Sequence, residues 1–343
     1  MKKTLLMSSV LALSIALAAC SGQTSEGKVD DKIDIVWYPN ESGSDLKASR
    51  DEIGELIEKA TGKEVKHHLT TDYAIAIETI ANGNADMGFM GSNSYIEAKK
   101  KNDAVIPLAV QSGASGTLDD AIYYSWLAVD VNEQDAFKKD DEFSLDTVEG
   151  KSISFVSNSS TSGFKVPSST IIKHFSETGK YADLSEESIM TGAGGLFEQV
   201  LFGNSHQGSA VNLLKDDVDI AAFCDTCVEE YVDLKDGEAN TLGAVYTVKE
   251  NAAEPFNTVA GKDFALMNVT PVLNEPFVAN LETMGQEDFD TIQALFTSDE
   301  FSNNKKIFGS EDSETATLFT KEDNERFLKV EDAWFNPIRE LTK

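Results

Sequence analysis

The chain has 343 residues, 41% of them hydrophobic and 26% charged, with 7 prolines. That is the composition of a folded globular protein rather than a disordered or low-complexity one. Its 59 acidic residues stand against 29 basic ones, a formal charge of -30, which argues against nucleic acid or anionic lipid headgroups as partners.

The first residues carry a targeting signal. Lys2 and Lys3 precede an uncharged apolar stretch, Leu5 to Ala19, that ends Leu17-Ala18-Ala19-Cys20. This matches a bacterial lipobox, so residues 1–19 are expected to be a signal peptide and Cys20 the lipidated residue. The apolar stretch is too short for a good membrane span. Residues 20–31 continue as a small, polar, flexible tether. No later segment is long and apolar enough to cross a bilayer. The expected location is therefore the extracytoplasmic face of a cell membrane, with the lipid on Cys20 as the only anchor. Roughly 310 residues follow the tether, which suggests two compact lobes.

Residues 33 to 38 (IDIVWY) form a β-rich apolar run ending at a Pro39-Asn40 turn. Leu46, Ile53, Leu56, Ile57 and Ala60 fall at helical spacing, closed by Thr61-Gly62. Val65 to Leu69 predicts a second strand. Tyr73, Ile77, Ile80 and Ala81 share one face of a helix capped by Thr71 or Asp72. Residues 85–90 read as a strand, 94–100 as a helix, and Val105 to Gln111 and Tyr123 to Val129 as strands. After the acidic stretch Asp130 to Asp141 the pattern restarts, with Ser152 to Val156 as strand, a helix around Ser169 to Phe175, a helix over 209–214 and a strand over 218–223. Phe264 to Met267 and Pro276 to Val278 look extended, and the tail from Asp288 to Leu341 is mostly helical in pattern. Alternating strands and helices indicate mainly parallel α/β sheets, whose ligands bind at the carboxyl ends of the strands. The restart implies two lobes, 32–126 with 269–343 and 127–268. The crossings near Tyr123 to Leu127 and Val269 to Glu275 would act as a hinge.

Four polar elements fall on those strand ends. Asn158-Ser159-Ser160-Thr161-Ser162-Gly163-Phe164 follows a strand, and the hydroxyls of Ser160, Thr161 and Ser162 can donate to anionic oxygens. Gly163 relieves crowding there, and a following helix would add unpaired N–H groups. Ser205-His206-Gln207-Gly208-Ser209 opens a helix with His206 near its N-terminus. Thr71-Asp72-Tyr73 and Met90-Gly91-Ser92-Asn93-Ser94-Tyr95 supply further hydroxyls. Each alone also reads as an ordinary capped turn or core aromatic. His67, His68 and His174 lack metal-ligand spacing with acidic partners.

Together these elements resemble the phosphate/phosphite/phosphonate-binding protein family of ABC importers. The likeness runs from about Ile33 to about Pro276. It includes Tyr38-Pro39-Asn40-Glu41, Thr61-Gly62-Lys63-Glu64-Val65, Asp72-Tyr73-Ala74, Asn82-Gly83-Asn84-Ala85-Asp86, Gly91 to Ala98, Tyr123-Tyr124-Ser125, and Ser160 to Phe164 with Pro167. It implies a two-lobed type II periplasmic-binding-protein fold that captures a small phosphorus oxyanion between its lobes, without catalysis, cofactor or metal. Its partners would be an ABC permease with its ATPase, and the binding protein itself would be monomeric. Carried over, Tyr73, Ser92, Ser94, Tyr95 and Tyr123 would meet the ligand from one side. Ser160, Thr161, Ser162, His206 and the loop bearing Asp225 would meet it from the other. That loop, Cys224-Asp225-Thr226-Cys227, departs from the family pattern, as does Met90, where phosphonate binders commonly carry an aromatic.

Cys224 and Cys227 admit three readings: a short-loop disulfide, two free thiols, or a redox-active pair. The acidic surface also suits a zwitterion such as an aminophosphonate, with Asp225 or Glu41 meeting the amine. Two other functions compete. A larger ligand such as thiamine pyrophosphate would stack on Trp37, Tyr95 or Trp126, and a surface thiol oxidoreductase would use Cys224 and Cys227. A serine hydrolase would want a G-x-S-x-G elbow, which the sequence lacks.

Overall fold

The computed structural model describes residues 31–341 except 193, 311, 312 and 314. The expected signal peptide, Cys20 and the expected tether up to residue 30 lie outside the described residues. Among the described residues no helix is long and apolar enough to cross a membrane.

The chain enters along β1 (Lys32–Trp37), in which every residue after the first is buried, as an apolar run between two helical layers must be. Helix α1 (Lys47–Thr61) stops at Gly62, whose φ of 73° is left-handed and so favours glycine. β2 (Glu64–Leu69) leads to α2 (Tyr73–Ala81), where the Asp72 carboxylate accepts from the N–H groups of Ala74 and Ile75. β3 (Met87–Phe89), α3 (Ser92–Lys101) and β4 (Val105–Gln111) complete the first pass through lobe 1.

Lobe 2 begins with the long β5 (Ile122–Asp130) and continues through β6 (Ser152–Phe155), α4 (Val166–Thr178), β7 (Gln199–Phe202), α5 (His206–Leu214) and β8 (Ile220–Cys224). β9 (Val232–Asp236), β10 (Val245–Val248) and β11 (Asp263–Leu273) follow. The chain then returns to lobe 1 as β12 (Pro276–Asn280), α6 (Gln286–Phe296) and the edge strand β13 (Phe327–Leu328). Lobe 1 holds a six-stranded sheet in the order β13-β4-β12-β3-β1-β2, and lobe 2 a seven-stranded sheet in the order β9-β10-β11-β5-β8-β6-β7.

The two-lobed α/β architecture is the expected one, but the sheets are mixed rather than mainly parallel. Parallel pairing joins β1 to β2 and β3, and β6 to β7 and β8. The strands that carry the chain between lobes break this pattern. β12 inserts antiparallel between β3 and β4, and β5 and β11 pair antiparallel along their length beside β8. A strand arriving from the other lobe enters at the rim where its neighbours end, so it must run against them. By sheet membership β5 and β11 belong wholly to lobe 2, and the chain passes between sheets over residues 112–121 and 274–275.

The C-terminal tail departs from its helical pattern. It is helical to Ser302, runs as short strands and turns as far as Leu328, and is helical again over Asp332–Phe335 and Asn336–Glu340. Its aromatic residues explain this: Phe308, Phe319 and Phe327 are buried against Phe277, Phe296 and Phe301, and Phe327 pairs with Gln111 to extend the sheet. Burying those rings outweighs the weak local helical preference.

Both sheets are covered on both faces. One apolar cluster crosses the interface, joining Val36, Tyr38 and Tyr73 of lobe 1 to Val156, Val166 and Val272 of lobe 2. The start of α5 is packed just as closely, since a Cβ on Gly208 would lie 2.2 Å from the Gly203 carbonyl oxygen. Alanine is normally the better helix former by about 1 kcal/mol, yet here Gly208→Ala is expected to lower stability by about 1–3 kcal/mol through overpacking. The urea midpoint, at unchanged slope, measures it.

Candidate anion-binding site

The polar strand ends of both lobes converge on the interface. The β1 turn delivers Tyr38, Asn40 and Glu41, all buried, and the start of α2 delivers Tyr73. The Tyr38 and Tyr73 rings lie 4.2 Å apart. From lobe 2, Ser160 caps a π-turn over Thr161–Lys165 that runs into α4, and its Oγ accepts from the Gly163 N–H. Gly163 is required by contact rather than by ligand approach, because a Cβ there would stand 2.2 Å from Val156 Cγ2. His206 opens α5 behind the Ser205 cap.

The lobes are bonded around this point. Thr161 Oγ1 accepts from the Asn93 N–H at 2.9 Å, and Ser94 Oγ donates to the Ser159 carbonyl at 2.8 Å. Asn40 Oδ1 accepts from the His206 N–H at 3.1 Å, while Asn40 Nδ2 donates to the Tyr73 hydroxyl oxygen at 2.6 Å. The result fixes proton direction. Thr161, Ser160 and Tyr73 each already accept from an amide, so their hydroxyl hydrogens remain to be donated elsewhere. Ser162 Oγ and the Tyr38 hydroxyl are buried without a hydrogen-bond partner. Burial pushes the Tyr38, Tyr73 and Tyr123 phenols well above their usual pKa, which keeps them protonated.

His206 follows the same logic. The Cys224 N–H donates to its Nδ1 at 2.9 Å, which places the proton of a neutral ring on Nε2, 3.4 Å from Ser160 Oγ. Burial drives its pKa down to about 3. Cys224 is held in turn by a disulfide to Cys227, the first of the three readings. His206, Cys224 and Cys227 place their donor atoms within 4.8 Å of one another, but the sulfurs are bonded together.

The remaining residues divide. Tyr123 lies near, its hydroxyl 3.5 Å from Glu275 Oε1 and beside Ser162. Asp225 is half-buried and accepts from the Tyr124 N–H at 2.8 Å, and desolvation raises its pKa to about 6. Ser92 instead turns to the carbonyls of Leu273 and Asn274 at the crossing. Tyr95 donates to Asp332 and packs on Phe335, away from the converging hydroxyls. Trp37 and Trp126 are core residues of separate clusters. Sequence reasoning passed over Tyr38 and Asn40 as donors, and took Glu275 only as the end of a crossing. The motif around Tyr38-Pro39-Asn40-Glu41 carried the signal for the first two; nothing local marks Glu275.

Two α/β lobes that enclose neutral hydrogen-bond donors, with the chain crossing twice between them, define the class: a type II periplasmic binding protein. The comparisons narrow it. The family described as the ABC transporter, phosphonate, periplasmic substrate-binding protein matches residues 35–335, and the chain belongs to that family. A phosphate-import protein PhnD of Mycolicibacterium smegmatis is 28% identical over 302 residues, covering 84% of this chain and 79% of the relative. PhnD1 from Prochlorococcus marinus, solved in complex with methylphosphonate, is similar with a TM-score of 0.64 and 16% identity, over 91% of this chain and 97% of that one. A binding protein component of an ABC phosphonate transporter from Pseudomonas aeruginosa gives 0.62 and 18%, over 90% and 85%. At these identities the two structures support the fold.

His206 is expected to remain neutral, with its hydrogen on Nε2, down to about pH 4, because its folded pKa sits near 3. Nitrogen-15 NMR of the imidazole reads the tautomer directly, and an imidazolium signal at pH 6 would contradict the assignment.

Proposed function

We propose that the protein is a lipoprotein, anchored through Cys20, that captures a small phosphorus oxyanion between its lobes and presents it to an ABC permease and its ATPase. The supporting observation is the set of buried hydroxyls that each accept one amide N–H and keep a hydrogen to donate. Such a set suits a ligand that only accepts. Ser160, Thr161, Ser162 and His206 Nε2 grip it from lobe 2. Tyr38, Tyr73 and Tyr123 complete the shell, and Ser94 closes the seam behind it. Ser92, Tyr95 and Asp225 support the walls. The lobes part about the crossings at residues 112–121 and 274–275, and ligand that bridges both favours the closed arrangement.

The net charge of -30 repels an anion at long range, but screening over about 8 Å at physiological salt confines that penalty to the approach. Inside the cleft, charge-assisted bonds worth about 1.5–3 kcal/mol each decide the outcome. Methylphosphonate, phosphite and phosphate all fit this chemistry, and the methylphosphonate held by the Prochlorococcus relative supports the first. Thiamine pyrophosphate is disfavoured because Trp37, Tyr95 and Trp126 are occupied in packing. Thiol exchange is disfavoured because Cys224 is fully buried.

Calorimetry with phosphate, phosphite, methylphosphonate and 2-aminoethylphosphonate tests the reading, and no binding by any of them would end it. Thr161→Ala and Ser162→Ala are each expected to weaken the preferred ligand by about tenfold to a hundredfold, the equivalent of one charge-assisted bond; the free protein's melting temperature is little changed by Ser162→Ala, whose Oγ has no partner, and lowered by Thr161→Ala, which strands the Asn93 N–H.

A further inference from the structure

The donor shell contains a carboxyl that an anion site should not tolerate. Glu275 sits in the two-residue link between β11 and β12, where the chain crosses lobes. Its Oε1 is 3.5 Å from the Tyr123 hydroxyl. A Cβ built on Gly91 would lie 3.4 Å from that oxygen and 2.8 Å from Thr161 Oγ1, so the carboxyl and a proposed ligand donor flank the same point. Glu41 faces the same region, with its Oε2 buried and lacking a partner. Both line a cavity of about 490 Å³ together with Tyr123, Asp225, Cys227 and Glu229.

The groups around Glu275 offer no positive charge to neutralise it. Asp225 and Glu41 are acids, and Tyr38, Tyr73 and Tyr123 are neutral phenols. His206 is neutral. Arg50, the basic residue near Glu41, donates to the backbone carbonyls of Glu41 and Gly43. A carboxylate and an oxyanion side by side in such a site repel, and only a proton between them turns the contact into a hydrogen bond.

We propose that Glu275 faces the bound oxyanion and shares one proton with it, so that capture of a dianionic ligand takes a proton from solution. The step makes one O–H···O bond between the carboxyl and a ligand oxygen, breaks no covalent bond of the ligand, and draws its proton from water or buffer. This inference rests on the oxyanion reading above. Burial supports it, pushing Glu275 up to about 7 and Glu41 well above the usual carboxylate range. The sign follows from a raised carboxyl pKa. The protonated, anion-compatible form dominates below about pH 7 and is lost as pH rises through that value, so affinity falls with pH.

The test is calorimetry of methylphosphonate binding, in buffers of differing ionisation enthalpy from about pH 6 to about pH 9, on the wild type and on Glu275→Gln. Glutamine keeps a neutral donor at every pH. On the alkaline side the wild type should take up about one proton more per site than the variant, and its affinity should fall about tenfold more per pH unit. The comparison cancels the ligand's own titration. If the variant does not fold, infrared difference spectra of the wild type read the same event as a carboxylic-acid C=O band gained on binding above neutral pH. Tight binding with equal proton counts, or without that band, overturns the inference while leaving the oxyanion reading intact. So does 2-aminoethylphosphonate that binds without proton uptake and is lost in Glu275→Gln, since Glu275 would then be meeting an amine. Failure of the wild type to bind either ligand removes both proposals together.

Discussion

A negatively charged oxygen held in a dry cleft without a basic side chain needs several hydrogen-bond donors whose hydrogens cannot turn elsewhere. The hydroxyls of this protein approach that condition because an amide N–H already engages each oxygen and fixes its position. The Gly163 amide fixes Ser160, the Asn93 amide fixes Thr161, and the Asn40 side chain fixes Tyr73. Two of those three amide donors belong to lobe 1, while Ser160 and Thr161 belong to lobe 2. Lobe 2 alone therefore orients Ser160 and lobe 1 alone orients Tyr73, while Thr161 is fixed only with the lobes in contact.

Close backbone approach makes that contact feasible. Gly91 leaves room for Thr161 Oγ1, Gly163 for Val156, and Gly203 with Gly208 for the turn that opens α5. A methyl group at Gly91 would hold the lobes apart by a fraction of an ångström, and at the other places would distort lobe 2 itself, enough to weaken hydrogen bonds that depend on distance and angle. The disulfide works at longer reach. It anchors the end of β8, where the Cys224 amide sets the His206 tautomer, so a loop that departs from the family pattern still serves a family residue.

Electrostatics acts on two scales here. At long range the acidic surface opposes any anion, but it is screened within a few solvent layers. At short range burial removes charge instead of adding it, leaving His206 neutral and raising Glu275, Asp225 and Glu229 to about 7, about 6 and about 8. A cleft of neutral donors and protonatable acids holds an anion by hydrogen bonds, with protons rather than fixed cations balancing charge.

Much of this was local and therefore legible in the sequence. The apolar runs gave β1, β4, β5 and β8, Gly62 ended α1, and Asp72 capped α2, because burial pattern and capping depend on neighbours in the chain. The order of short motifs carried the family, and Tyr73, Ser160, Thr161, Ser162 and His206, expected from that resemblance, meet at the lobe interface. What the sequence alone left undetermined depends on distant segments meeting. Antiparallel insertion of β12 follows from where the chain re-enters lobe 1, and the tail abandons its helical pattern because Phe308, Phe319 and Phe327 find a core elsewhere. Tyr95 and Ser92 sit in a polar turn that looks uniform in sequence, but their side chains are claimed by Asp332 and the crossing strand. Glu275, one acid among many on the page, becomes distinctive only when Gly91, Thr161 and Tyr123 close around it, because burial and proximity across lobes are set by the tertiary fold and leave no mark on the residues beside it in the chain.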